Sequence, residues 1–191
     1  MTHAKLGHNN GPSMEASFAF RKYARTKARA DLMPTLPIEI LRTRVRRAKA
    51  LGLPYKTYAS VRASTGRDVV GFLFSNNALR MMRDGQTSPR APALSRVRAE
   101  LIGLIHAPMS PEQARATIEA QGIVITTARA PHFAQGWSGI RALVQVPLRQ
   151  KRLPLDGVLV VGDTAHERDW SVAARLAGFI TSDAYFSDQS A

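Results

Sequence analysis

The rhythm of apolar and polar positions changes near the middle of this chain. Residues 1–13, ending in GHNNGPS, show no periodicity and read as a mobile arm. From about Met14 to Leu32, Phe18, Tyr23 and Leu32 are interspersed with Arg21, Lys22, Arg25, Lys27 and Arg29, which predicts a helix before Pro34 and Pro37 interrupt the chain. The next helix is predicted from about Ile38 to Leu51. Ile38, Leu41, Val45 and Ala48 recur on it at three- and four-residue steps, and Gly52 and Pro54 end it. Two further helices are expected at Tyr55–Ala63 and Arg67–Met82, joined by Ser64-Thr65-Gly66. The second contains VVGFLF, apolar all round and therefore expected to be buried. Gly85, Ser88, Pro89 and Pro92 mark residues 83–93 as a linker.

Beyond the linker, Leu94–His106 carries Val97, Leu101, Leu104 and Ile105 in the pattern of an amphipathic helix. Ser110-Pro111-Glu112-Gln113 opens another helix with an N-cap serine, a first-turn proline and a box-closing glutamine. Ile123–Thr127, Ala142–Leu148 and Gly157–Val161 are predicted strands. Thr164 and Glu167 form a second capping box, starting a helix that runs to Gly178. Helices alternating with short apolar strands indicate an α/β unit. The expected fold class is therefore α+β or α/β: a basic helical domain at 14–82, the linker at 83–93, and a small three-stranded α/β domain at 94–191.

Charge sharpens this division. Residues 1–100 hold 19 Lys+Arg against 6 Asp+Glu, and residues 101–191 hold 8 against 8, so the whole formal +13 sits in the first half. Such a field concentrates polyanions before any specific contact forms, which points to nucleic acid, with an acidic protein subunit as the alternative partner. The absence of cysteine excludes disulfides, thiolate metal sites and cysteine nucleophiles. His3, His8, His106, His132 and His166 form no close ligand pair, so no metal and no cofactor is expected. No apolar stretch is long enough to span a bilayer and no secretory signal is visible, which predicts a cytoplasmic protein with no membrane partner.

The arginine-rich helix is the first candidate site. Arg42, Arg44, Arg46, Arg47 and Lys49 crowd one helix, and such a cluster repels itself unless anions lie nearby. Residues 55–74 also fit some positions of a helix-turn-helix template. Ala59 and Ala63 supply the small side chains that close helix crossing needs, Val69 and Phe72 supply apolar positions, and Lys56, Arg62 and Arg67 flank the turn as phosphate contacts. Ser64 stands where an apolar residue is usual, and Val70 and Gly71 stand where base-reading side chains belong. A buried helix of a small bundle explains the same letters. Tyr55 and Tyr58 are the only candidates here for stacking single-stranded bases, which favours duplex DNA over single strands, and the expected partner is DNA before RNA.

The second candidate is GVLVVGDTAHERDW, residues 157–170. A hydrophobic strand ending in Gly-Asp-Thr, followed by acids and then AARLAGF, resembles the fourth motif of haloacid-dehalogenase-like phosphohydrolases. That likeness implies magnesium on the strand-end carboxylates and makes Asp163 a catalytic candidate. Apart from it, His166, Glu167 and Asp169 are candidates for an acid/base cluster at the carboxyl end of a strand, where α/β proteins bind ligands. No upstream strand carries the paired aspartates those enzymes use, and the run from Gly-Asp-Thr to Ala177-Gly178 is longer than theirs. A structural explanation also fits: Gly162-Asp163 makes a turn, Thr164 and Glu167 cap a helix, and Ala173, Ala174 and Ala177 pack it on a sheet.

GHNNGP near the start, together with LPIEILRTRVRRAKALGLPYKTYASVRASTGRDVVGFLFSNNALR, resembles a group of small bacterial and phage-associated proteins that open with a GHNxGP-type motif. The resemblance covers residues 1–82 and implies a DNA-associated helical front. The expected function is nucleic-acid binding, with phosphates gripped by the arginine-rich helix and a regulator as its setting. The rear of the chain is expected to serve dimerisation, partner docking or ligand sensing.

Overall fold

The apolar run Val69–Phe74 decides the architecture. It forms β1 (Gly71–Ser75), every residue of which is buried. On one side it pairs with β2 (Glu100–Ile105), which in turn pairs with β3 (Thr126–Arg129). On the other side it pairs with β4 (Val158–Gly162), followed by β5 (Gly178–Thr181). All pairs are parallel and the order is β3-β2-β1-β4-β5, with Phe72 opposite both Leu101 and Leu159. A central parallel strand is covered on both faces, so it reads as a continuous apolar run that periodicity does not separate from a buried helix. The computed structural model describes residues 36–187. The chain divides into residues 1–41 and 42–191, and the sheet lies in the second unit.

The helices among the described residues are α1 (Ile38–Ala50), α2 (Tyr55–Thr65), α3 (Ala91–Leu94), α4 (Pro111–Glu119), α5 (Trp137–Gln150), α6 (Ala165–Ala173) and α7 (Ser182–Ser187). Strand alternation sends Phe72, Phe74, Leu101, Ile105, Leu159 and Val161 to one face, where Leu51, Tyr58, Ala114, Ile118 and Tyr185 cover them. Leu73, Ile102, Leu104, Val158 and Val160 face the other way, against Ile140, Val144 and Leu148 of α5 and Trp170 and Ala173 of α6. The result is a sheet between two helical layers. Phe72 and Phe74 each meet Tyr185 edge to face at 5.1 and 5.4 Å, and each such fully buried ring contributes about 1.5–3 kcal/mol by leaving water. No helix of the described residues is long and apolar enough to cross a membrane.

Several expectations are corrected by this arrangement. The sheet has five strands, not three. α2 ends at Gly66, which lies in the left-handed region at φ 72°, and its N–H closes on Arg62 O. The chain then enters β1, so no second helix follows and no helix-turn-helix exists at 55–74. Of Leu94–His106 only the first residue is helical, and Glu100–Ile105 is a strand. Ala142–Leu148 lies within α5, where Ile140, Val144 and Leu148 are buried at four-residue steps; the β-branched valines there pack a helix face. The helix from Thr164 stops at Ala173, because Gly178–Thr181 leaves to form β5. Of the predicted stripe on α1, Ala48 alone is buried, while Ile38, Leu41 and Val45 are exposed. The segment 83–93 is not a boundary between domains: β1 precedes it and pairs with β2 and β4, which follow it, inside the unit 42–191. The arm at 1–13 and the helix predicted at 14–32 lie outside the described residues.

Candidate functional site

In an open parallel sheet, ligands bind outside the carboxyl ends of the strands where the strand order reverses. Here that place is the crevice between the ends of β1 and β4. β4 delivers Gly162, Asp163 and Thr164 to it, and Thr164 caps α6: its hydroxyl accepts from Glu167 N at 3.2 Å. Glu167 then turns back under the strand ends and is fully buried. Its carboxylate accepts from Asp163 N at 2.6 Å, Thr164 N at 3.0 Å, Asn77 Nδ2 at 2.8 Å and His106 Nε2 at 3.2 Å, so β1, β2 and β4 are tied through one side chain. Burial alone raises its pKa, but the hydrogen bonds from His106, the Asp163 N–H, Ser75 and the Thr164 N–H prevail and bring it down to about 2. Gly162 is obligatory beneath it, because a Cβ there would stand 2.7 Å from Glu167 Oε2 and 3.0 Å from the Phe179 ring.

The outer rim of the same edge is a second closed network. The Ser182 hydroxyl donates to Asp163, and Arg80 Nη1 lies 3.3 Å from Asp163 Oδ2. Arg80 and Arg90 meet on Asp183, at 3.2 and 2.7 Å, and Arg90 also donates to Ser182 Oγ and to Ala78 O. Asp163 therefore faces a guanidinium and a hydroxyl. The neighbouring strand end carries Ser75, Asn76 and Asn77 and no carboxylate. Of the catalytic candidates, Glu167 and Asp163 belong to these networks. His166 turns away to donate to Pro131 O at 3.2 Å, with its ring 6.3 Å from that of His106, and Asp169 stays exposed on α6. Among the described residues no three His, Asp or Glu side chains are grouped to hold a metal ion. The sequence does not single out His106, Asn77, Arg80 and Arg90, since only the sheet order brings them beside β4.

The basic candidates divide into two groups. Arg47 is a structural clamp: Nε donates to Asp68 Oδ2 at 2.8 Å, Nη2 to Val69 O at 2.8 Å and Nη1 to Arg98 O at 3.0 Å. Asp68 also accepts from Tyr58 Oη at 2.8 Å and has Arg62 Nη1 at 3.9 Å. Arg67 pairs with Asp156 at 2.7 Å. These three arginines hold the chain before β1 in place. Arg42, Arg46, Lys49 and Lys56 are exposed and Arg44 is half-buried. Among the described residues Arg44, Arg46, Lys49 and Lys56 have no carboxylate partner.

The fold adds two cations to that second group. Arg98 N donates to Ala50 O at 2.8 Å, and the Arg47 bond to Arg98 O fastens the same strip of chain. Residues 95–98 therefore lie along the carboxyl end of α1, which places exposed Arg96 and Arg98 at the end of the helix that carries Arg46 and Lys49. Neither makes an ion pair among the described residues. A helix carboxyl end carries partial negative charge and favours such cations. Lys49 and Arg96 share a cavity of about 830 Å3 with Val45, Ala48, Gly52, Leu53, Tyr55, Pro92, Ala93, Ser95 and Val97. Arg96 and Arg98 give no local signal, because they stand some fifty residues from α1 in sequence.

No family model, curated protein or solved structure matches this chain.

Proposed function

We propose that the protein binds nucleic acid through the cationic face made by the end of α1 and residues 95–98. The observation that carries this reading is that exposed cations from two distant segments, Arg46 and Lys49 near the end of α1 and Arg96 and Arg98 on the strip bonded to that end, meet no carboxylate among the described residues. Four other arginines of the same unit, Arg47, Arg67, Arg80 and Arg90, each meet an aspartate. An unmatched group of like charges repels itself, and phosphates relieve that repulsion while releasing their own counterions. The net charge of +13 draws a polyanion towards the face. The setting this reading supposes is the cytoplasm.

A metal-dependent phosphohydrolase centred on Asp163 draws less support, since its carboxylate is already held by Ser182 and Arg80 and Glu167 is consumed as an internal tie.

The test is fluorescence anisotropy of labelled oligonucleotides with the full chain, repeated as salt is raised. Binding is expected at low salt. For three or four phosphate contacts, log K should fall with log salt at a slope of about −2 to −4. Arg46→Glu with Lys49→Glu and Arg96→Glu should weaken binding alike for all sequences. Absence of binding at low ionic strength would overturn the proposal.

A further inference from the structure

The cavity beside the cationic face has a composition of its own. Val45, Ala48, Leu53, Pro92 and Val97 make an apolar lining, the half-buried Tyr55 contributes a ring, and Lys49 and Arg96 bring charge. None of its lining residues is acidic. Its volume, about 830 Å3, falls in the range of small-molecule pockets, roughly 300–1,000 Å3.

We infer that this cavity seats an unstacked base of single-stranded nucleic acid, with the adjoining phosphates on Lys49 and Arg96. The inference rests on the nucleic-acid reading and deepens it by naming the form of the partner. A duplex keeps its bases stacked inside and is read by an element that projects into its groove. A concave pocket has nothing to project. It accepts what a single strand offers, a flat apolar face with a phosphate on either side, and an aromatic ring lined by cations is how single strands are held without sequence preference. Tyr58, the other aromatic of α2, takes no role in it, since it is buried and its hydroxyl is given to Asp68. The duplex preference expected from the thin distribution of aromatics is thereby reversed: one ring suffices when the fold sets it in a cationic pocket.

The experiment compares a thymidine single strand, a duplex of equal length and polyglutamate for binding to the full chain at low salt. The single strand should bind at least about tenfold more tightly than the duplex. Tyr55→Ala should weaken single-strand binding by about five- to a hundredfold, the worth of one stacked base, with duplex binding unchanged and Tyr55→Phe close to the parent. On the unmutated protein, ultraviolet cross-linking of a 5-iodouridine strand, mapped by mass spectrometry, should place the adduct at Tyr55 or on the 92–97 segment. Equal binding of single strand and duplex, indifference to Tyr55→Ala, or an adduct elsewhere would overturn the pocket inference while leaving the cationic face standing. Binding of polyglutamate in preference to both nucleic acids, or no nucleic-acid binding at all, would overturn both.

Discussion

The two charged regions of the unit 42–191 are built in opposite ways. At the carboxyl ends of the strands each named carboxylate has its donors: Glu167 takes hydrogen bonds from β1, β2 and β4, and Asp163 and Asp183 are spanned by Arg80 and Arg90. At the end of α1 the exposed cations Arg46, Lys49, Arg96 and Arg98 meet no carboxylate among the described residues. A closed network holds the protein's own strands together, whereas an open one leaves its attraction for something outside. Charge density along the chain does not distinguish the two cases. What distinguishes them is whether the fold delivers the counter-charge.

The largest expected effect breaks the closed region. Glu167→Ala removes the acceptor shared by Asn77, His106 and two backbone N–H groups, and should cost about 3–5 kcal/mol in urea unfolding, as removing one partner of a buried ionic network does. Binding per folded molecule should be unchanged. Next in size is the acid limb of stability. Glu167 is held at about 2 in the folded chain against 4.5 for a free glutamate. A depressed carboxylate stabilises above its unfolded value, and that contribution fades as pH falls towards the folded one. It amounts to about 3 kcal/mol, lost between about pH 5 and pH 2. Urea titrations at pH 6 and pH 3 check this, and Glu167→Gln should flatten the difference.

Arg47→Ala sharpens the comparison, because it touches both regions' logic. It strands Asp68, Val69 O and Arg98 O and should cost about 1–3 kcal/mol by thermal unfolding. It should also loosen the 95–98 strip and lower affinity for nucleic acid, which a merely electrostatic arginine would do without destabilising the fold. Reversal of Arg46 and Lys49 should do the converse, changing stability by less than about 0.5 kcal/mol, as exposed substitutions do. The same reversal should flatten the salt slope by about 0.7 for each phosphate of a single strand that is no longer neutralised. A similarly small effect on stability is expected from Arg80→Gln, read by thermal unfolding. Its pair with Asp163 is near the surface and worth about 0–1 kcal/mol, and Asp183 is exposed to solvent.

Much of the local grammar is legible in the sequence. The N-caps at Ser110 and Thr164 stand where their spacing predicts, since a cap is a bond between residues three apart. The box closes at Thr164–Glu167, whereas Gln113 does not close one at Ser110, whose N–H goes to Asp84. Val158–Gly162 is legible as a strand, and Gly66 as a stop. The arginine cluster is legible as a cluster but not as a site, because Arg47 faces Asp68 across twenty-one residues and Arg67 meets Asp156 at the amino end of the neighbouring strand. Glu167 is visible as a capping residue, yet its tie to Asn77 and His106 requires the order of the strands.

By itself the sequence determined the helix caps, the apolar segments and the excess of positive charge, all of which depend on neighbours within a few residues. The tertiary structure alone decided that VVGFLF is a central strand, that Arg96 and Arg98 join α1, and that Glu167 is buried beneath three strand ends. The reason is common to all three. A segment buried on both faces loses its period, and a charge gains or loses its meaning from partners that only folding brings within reach.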